Sequence, residues 1–295
     1  MRILLILLAV CCIQPSISEG NSCYSKWTGD TLIIGNNRIE RKFIWNGGNL
    51  ITYSLSDKCN GKTVLSASAT PDFFISKGDK TGLGGDCRVE DIAATDIHPA
   101  YQQTIVTFSV GTLDVKRVYR VYDDCPAIAC DTYLRGTANS VFGGRETDMA
   151  DRKNIEFAED MKSKSVTAIL DVPAWHNNLV TERNIIAYRK NNYRGNLFFA
   201  RNGEDNCGFF FLKEAPCSGV QLAYNGVDFM AEFGKFMVTG LGITEKDIQQ
   251  DRWIQTYSCV TGVYGEGELQ ALTALRNYQK NIRRHFRSRD EMIMM

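Results

Sequence analysis

The chain has 295 residues, 34 of them Lys or Arg and 34 Asp or Glu, so its formal charge is zero and no overall field draws it to nucleic acid or to an anionic membrane surface. Hydrophobic residues make up 44% and charged residues 23%, ordinary globular usage that excludes disorder, collagen and low-complexity scaffolds. Length alone leaves open two domains or one large all-β domain.

Met1-Arg2 is followed by an apolar run from Ile3 to Ile13, then Gln14-Pro15 and the small-residue pattern Ser16-Ile17-Ser18. A bilayer span needs about 20 apolar residues, so this run is too short to cross, and residues 1–18 read as a secretory signal peptide cleaved before Glu19. Lipid attachment at Cys11 or Cys12 is the alternative, and the bulk of Val10 disfavours it. No later stretch is as apolar, so the sequence predicts an exported protein, periplasmic or extracellular, without a membrane span. Cys23, Cys59, Cys87, Cys125, Cys130, Cys207, Cys217 and Cys259 then remain, in a compartment that permits disulfides. A chain this large does not need such staples, and the ordinary reading is small buried hydrophobes. Cys125 and Cys130, flanking Pro126-Ala-Ile-Ala, are close enough for a local bridge. The mature histidines His98, His176 and His285 sit in no CxxC or HxxxH neighbourhood, so no metal site and no cofactor is expected.

From Thr31 the residues Thr-Leu-Ile-Ile-Gly, Arg38 to Trp45 and Leu50 to Leu55 read as three strands, separated by Asn36-Asn37 and by Asn46-Gly47-Gly48-Asn49. Asn and Gly tolerate the positive φ of tight turns, and the β-branched and aromatic residues between them fit a half-buried pleated surface. The pattern recurs at Thr104 to Val110, Leu113 to Tyr122, Ile128 to Leu134, Val166 to Val172, Asn196 to Ala200, Gly208 to Leu212 and Val227 to Val238. Short strands at regular spacing without intervening helices predict an all-β fold, a large antiparallel sandwich over residues 19–264. One helix follows within 265–291: Leu269, Leu272, Leu275, Ile282 and Phe286 recur at helical spacing, acidic Glu266 and Glu268 lie at its start, and Lys280, Arg283, Arg284, Arg287 and Arg289 crowd its end. Leu272, Leu275 and Ile282 are expected to pack on the sandwich. The basic cluster reads as a solvated helix end, not a nucleic-acid patch, given the neutral total. Residues 292–295, Met-Ile-Met-Met, begin like a buried parallel strand.

A retaining glycosidase needs two carboxylates about 5–5.5 Å apart. Asp148/Asp151, Glu156/Glu159/Asp160 and Glu266/Glu268 are close in sequence, but proximity along the chain does not set two carboxyls on opposed faces of a sugar, and solvated loops are the ordinary explanation. The sharper candidate is Pro173-Ala-Trp175-His176-Asn177-Asn178, a loop whose indole, imidazole and amides suit sugar stacking and hydroxyl recognition, so Trp175, His176 and Asn177 are the candidate carbohydrate-binding residues. A structural role beneath the loop is the competing reading. Trp45 and Trp253 lie inside strand-like runs and read as core. Gly82-Leu-Gly-Gly-Asp86 lacks the Lys-Ser/Thr of a phosphate loop, and no Gly-x-Ser-x-Gly elbow occurs. His98 or His176 would supply the acid or base of a sugar isomerase, but no partner Glu stands out.

The opening Asp30-Thr-Leu-Ile-Ile-Gly-Asn-Asn-Arg-Ile-Glu-Arg-Lys-Phe-Ile-Trp-Asn-Gly-Gly-Asn-Leu and the exit from Gly265-Glu-Gly-Glu-Leu-Gln-Ala-Leu to Asp290-Glu-Met-Ile-Met-Met resemble the amino-terminal region of secreted α-galactosidase-like enzymes of glycoside hydrolase family 36, of the Bacteroides type. The resemblance implies a galactose-mutarotase-like β-supersandwich, a linking helix and then a (β/α)8 barrel, of which residues 292–295 would start the first strand. It places the two catalytic aspartates in the barrel, so no residue here inherits either role and the chain is expected to be inactive alone. The expected function is that of a non-catalytic domain of an α-galactosidase-like hydrolase acting on terminal α-galactosides. Its partners would be the α-galactoside and the missing barrel, with a homo-oligomer left open. The alternatives are a stand-alone exported carbohydrate-binding module and, more weakly, a mutarotase-like isomerase.

Overall fold

The structure, a computed structural model, describes residues 22–45, 47, 49–65, 71–73, 83–137, 149–153, 166–170, 180–184, 191–201, 207–215, 227–232 and 235–282. Five strands come first, β1 (Tyr24–Thr28), β2 (Thr31–Gly35), β3 (Ile39–Trp45), β4 (Leu50–Asp57) and β5 (Lys62–Leu65), and each pairs with the next in a five-stranded meander. Four longer strands follow: β6 (Leu83–Ile92), β7 (Tyr101–Val110), β8 (Leu113–Tyr122) and β9 (Ala127–Gly136). Next are β10 (Met149–Lys153), β11 (Val166–Leu170), β12 (Val180–Asn184), β13 (Asn191–Tyr193), β14 (Leu197–Arg201), β15 (Gly208–Glu214), β16 (Phe229–Glu232) and β17 (Lys235–Thr239). The short β18 (Ile254–Gln255), β19 (Ser258–Tyr264) and the helix α1 (Glu268–Asn281) complete the described chain.

The strands make a ten-stranded sheet in the order β12-β11-β14-β15-β19-β9-β8-β7-β6, with β18 beside β9, and a four-stranded sheet in the order β10-β17-β16-β13. Every pairing is antiparallel. This is the all-β sandwich with a C-terminal helix that the hydrophobic alternation predicts. Where one strand was expected over Val227 to Val238, the chain folds back as the hairpin β16–β17.

Alternation decides which face is inside. On β8, Leu113, Val115, Tyr119 and Val121 are buried in the main core while Asp114, Lys116, Val118 and Arg120 point out. The two smaller sheets contribute to that same core, the five-stranded one through Leu32, Ile34, Ile39 and Phe43, the four-stranded one through Phe229, Ala231, Phe236 and Val238. Aromatic rings join the layers: Phe211 of β15 stacks on Phe236 of β17 at 4.1 Å between centroids.

Each interface also holds a buried ion pair. Arg41 of β3 donates to Asp72 Oδ2 at 2.6 Å and to Thr52 Oγ1, while its guanidinium lies over the rings of Phe43 and Tyr119. Lys213 of β15 donates to Asp228 Oδ1 at 2.8 Å, and the other carboxylate oxygen accepts the Gly195 N–H at 2.8 Å. Both partners of the second pair are 0% exposed. Asn36, in the β2–β3 turn, is likewise fully buried and bridges sheets: Nδ2 donates to the carbonyls of Tyr122 and Cys125, and Oδ1 accepts the N–H groups of Arg38 and Ile39.

The helix packs on the outer face of the ten-stranded sheet, with the expected period but a different phase. Ala271, Ala274 and Tyr278 are its buried residues, Leu275 and Ile282 pack partly, and Leu269 and Leu272 are 76% and 57% exposed. Two alanines let the helix approach the sheet closely, where leucines would hold it off, and Tyr278 brings a hydroxyl to Glu214. The expected inward position of Leu272 is thus corrected. Cys125, Cys130 and Cys259 are buried, as the ordinary reading of these cysteines expects, and Cys125 is a free thiol that makes no bridge to Cys130, which faces Cys259 across β9 and β19. One further expectation changes. Trp253 is not core: it is half-buried on the outer face, with Arg135 and Lys116 over its ring at 4.5 and 4.8 Å. Trp45 packs partly buried against the main core.

Candidate functional site

Trp175, His176 and Asn177 lie outside the described residues, as do the signal segment, Asp148, Glu156, Glu159, Asp160, Phe286 and residues 292–295. The strands that precede and follow the segment carrying Trp175 are described. β11 and β12 form an antiparallel hairpin at one edge of the ten-stranded sheet, with Leu170 directly opposite Val180. His98 uses Nδ1 on the carbonyl of its neighbour Pro99 at 2.9 Å and packs edge-on to Tyr101. Glu268 is exposed and reaches Arg201 at 3.6 Å, while Glu266 lines a cleft.

That cleft, of about 720 Å³, opens between the start of α1 and the five-stranded sheet. Arg38 of the β2–β3 turn, Asp57 at the end of β4, Asn60 of the β4–β5 turn, Pro126, and Val263 to Gly265 form one wall; Glu266, just before the helix, and Gln270, Thr273 and Asn277 of α1 form the other. The Asp57 carboxylate already accepts the N–H groups of Cys59 and Asn60 and the Asn60 side-chain amide, and Arg38 reaches Asp124 at 3.5 Å. The walls therefore offer amides, hydroxyls and the Glu266 carboxylate to a polar ligand, while the Asp57 carboxylate is committed to shaping its turn.

A second polar group lies under the helix. Arg120 Nη2 donates to Asp131 at 2.9 Å and stands 4.0 Å from Glu214, Ser258 Oγ donates to Asp131 at 2.5 Å, and the Tyr278 hydroxyl donates to Glu214 at 2.9 Å. A guanidinium stands between the two carboxylates, which leaves no room for a glycosidic bond, so this is a clamp for α1 and not a hydrolytic pair. Burial pushes the Glu214 carboxyl above its ordinary value of 4.5, outweighing the Tyr278 hydrogen bond and the Arg120 charge. A raised carboxyl contributes stability that is fully present below 4.5 and is lost as pH rises through the folded value. Glu214→Gln is expected to flatten that loss, read as urea-unfolding midpoints from below pH 4.5 to neutrality. An undiminished slope in the variant would show that another group carries it.

Solved structures similar to this chain include α-galactosidases. The GH36 α-galactosidase AgaB from Geobacillus stearothermophilus superposes with a TM-score of 0.59 at 9% identity, covering 89% of this chain and 44% of that one. The galactosidase domain of the α-galactosidase–sucrose kinase AgaSK gives 0.57 at 10% identity, over 86% of this chain and 43% of its own. The α-galactosidase from Lactobacillus brevis gives 0.54 at 9% identity, over 85% and 42%.

The likeness is one of fold.

No protein-family profile matches the chain, and no curated protein matches it. The chain spans less than half the length of each of these solved structures. Identities of 9–10% transfer no site residue, so the chemistry rests on the residues of this chain.

Proposed function

We propose that the chain is the β-supersandwich portion of an exported glycoside hydrolase of the α-galactosidase type, acting on terminal α-linked galactosides, with the catalytic carboxylates in a barrel outside this sequence. The carrying observation is the asymmetry of coverage: 89% of this chain but 44% of the α-galactosidase AgaB superpose. Three of the described carboxylates, Asp57, Asp131 and Asp228, are each engaged in hydrogen bonds that build the fold, which fits this reading. In this reading residues 1–18 direct export, and the hairpin loop carrying Trp175, His176 and Asn177 forms part of the sugar-contacting surface.

The purified chain is expected to release no aryl alcohol from an aryl α-galactoside above the buffer rate. Enzyme-like hydrolysis would place a catalytic pair within this sequence and overturn the proposal. Binding of α-galactosides by the inactive chain, lost on Trp175→Ala, would locate the sugar-contacting loop; binding that survives the substitution would remove Trp175 from it.

A further inference from the structure

Among the described residues β6 is an outermost strand, paired with β7 on one side and with no strand on the other. At ten residues it is twice as long as β1, β10 or β12, which end their own sheets. A long free edge exposes a row of backbone N–H and C=O groups and is a template for another strand.

The first part of β6 is unsuited to pairing. The register shifts between Leu83 and Asp86, Gly84 has φ +63°, and the Gly85 N–H already donates to the Gly47 carbonyl at 3.2 Å. From Asp86 to Ile92 the strand is regular, and the midpoint of that segment is Val89, a valine 41% exposed. We propose that two copies of this chain join β6 to β6, antiparallel, about a two-fold axis through Val89.

The sequence of the strand selects this register. A two-fold axis perpendicular to the sheet keeps outer face on outer face, so residues pair only with residues of the same parity, and a one-residue slip is excluded. Centring on Val89 sets Arg88 opposite Glu90 of the second copy and Glu90 opposite its Arg88. It sets Cys87 opposite Asp91 and Asp86 opposite Ile92, so no like charges meet. Centring on Arg88 sets arginine against arginine and Asp86 against Glu90; centring on Glu90 sets glutamate against glutamate. Cross-strand neighbours of opposite charge stabilise a sheet and like charges destabilise it. The charged pair is already held on the outer face: Arg88 Nε stands 3.2 Å from Glu90 Oε1, and Gln103 Nε2 of β7 donates to Glu90 Oε2 at 2.6 Å. Val89 meets its own copy at the axis and covers the apolar surface each leaves exposed.

Sedimentation equilibrium of the full chain and of charge-reversed chains tests this. The wild type is expected to dimerise. Arg88→Glu and Glu90→Arg, each turning two attractive contacts per dimer into two repulsive ones, are expected to weaken the dimer by about tenfold or more. Mixing the two reversed chains, or combining both substitutions in one chain, restores complementarity and is expected to restore the dimer, a rescue that a general loss of folding would not give. A monomeric wild type overturns the proposal, and so does a dimer indifferent to both reversals.

Discussion

Asp228→Ala is expected to lower stability by about 3–5 kcal/mol, because it takes from the fully buried Lys213 ammonium the carboxylate it donates to at 2.8 Å, in the layer between the ten-stranded and four-stranded sheets. It also removes the acceptor of the Gly195 N–H. For a chain of this size the loss corresponds to a fall in melting temperature on the order of 10 °C, measurable by scanning calorimetry. The paired replacement Lys213→Met with Asp228→Leu is expected to recover most of it, since a buried ion pair is about as stable as apolar groups of similar volume, whereas half a pair is not. A single substitution costing less than about 1 kcal/mol would mean that water reaches the site and solvates the lysine.

Asn36→Ala comes next, with an expected cost of about 3 kcal/mol. The side chain satisfies two carbonyls of the β8–β9 turn and two N–H groups of its own turn, all in a position with no solvent exposure. Removing it leaves buried polar groups unpaired at roughly 1–3 kcal/mol each, softened where the turn relaxes. Asn36→Asp discriminates the two halves of the role: it keeps the acceptor for Arg38 and Ile39 and turns the donor into a charge facing two carbonyls, so it is expected to be at least as damaging as alanine. Chemical denaturation of both variants reads the order directly, and an aspartate variant close to wild type would show that the bonds to Tyr122 and Cys125 contribute little.

The strands were legible because their signal is local. Leu113 to Tyr122 alternates in and out as an amphipathic strand must, and the turns carry the Gly and Asn residues that such turns need. Pairing order was not legible, because nothing near Ala127–Gly136 says that its neighbour is Ser258–Tyr264. The buried charges left a trace that periodicity could have found: Arg41 stands between Ile39 and Phe43, and Lys213 follows Phe209 and Phe211, each at a position where alternation points inward. A lone charge on the apolar face of a strand calls for a buried partner. The helix was legible in period and missed in phase, since a stripe of leucines outweighs two alanines on any hydrophobicity scale while close packing on a sheet favours the alanines. Asn36 carries the turn chemistry of a hairpin, and its reach to another sheet lies beyond any local pattern.

The position of β19 has a consequence for how the protein is made. All seven of its residues are buried, and it sits between β9 and β15, joining the two halves of the large sheet. β9 ends at Gly136 and β19 begins at Ser258, so at roughly 5–20 residues per second of synthesis the edge of β9 waits on the order of ten seconds for its partner. During that time the nascent chain presents Ala127-Ile-Ala-Cys130, an apolar edge with unfilled hydrogen bonds, outside the ribosome. A chaperone that holds that edge apart from other chains until the last strand arrives is expected to raise expression yield while leaving the stability of the finished fold unchanged.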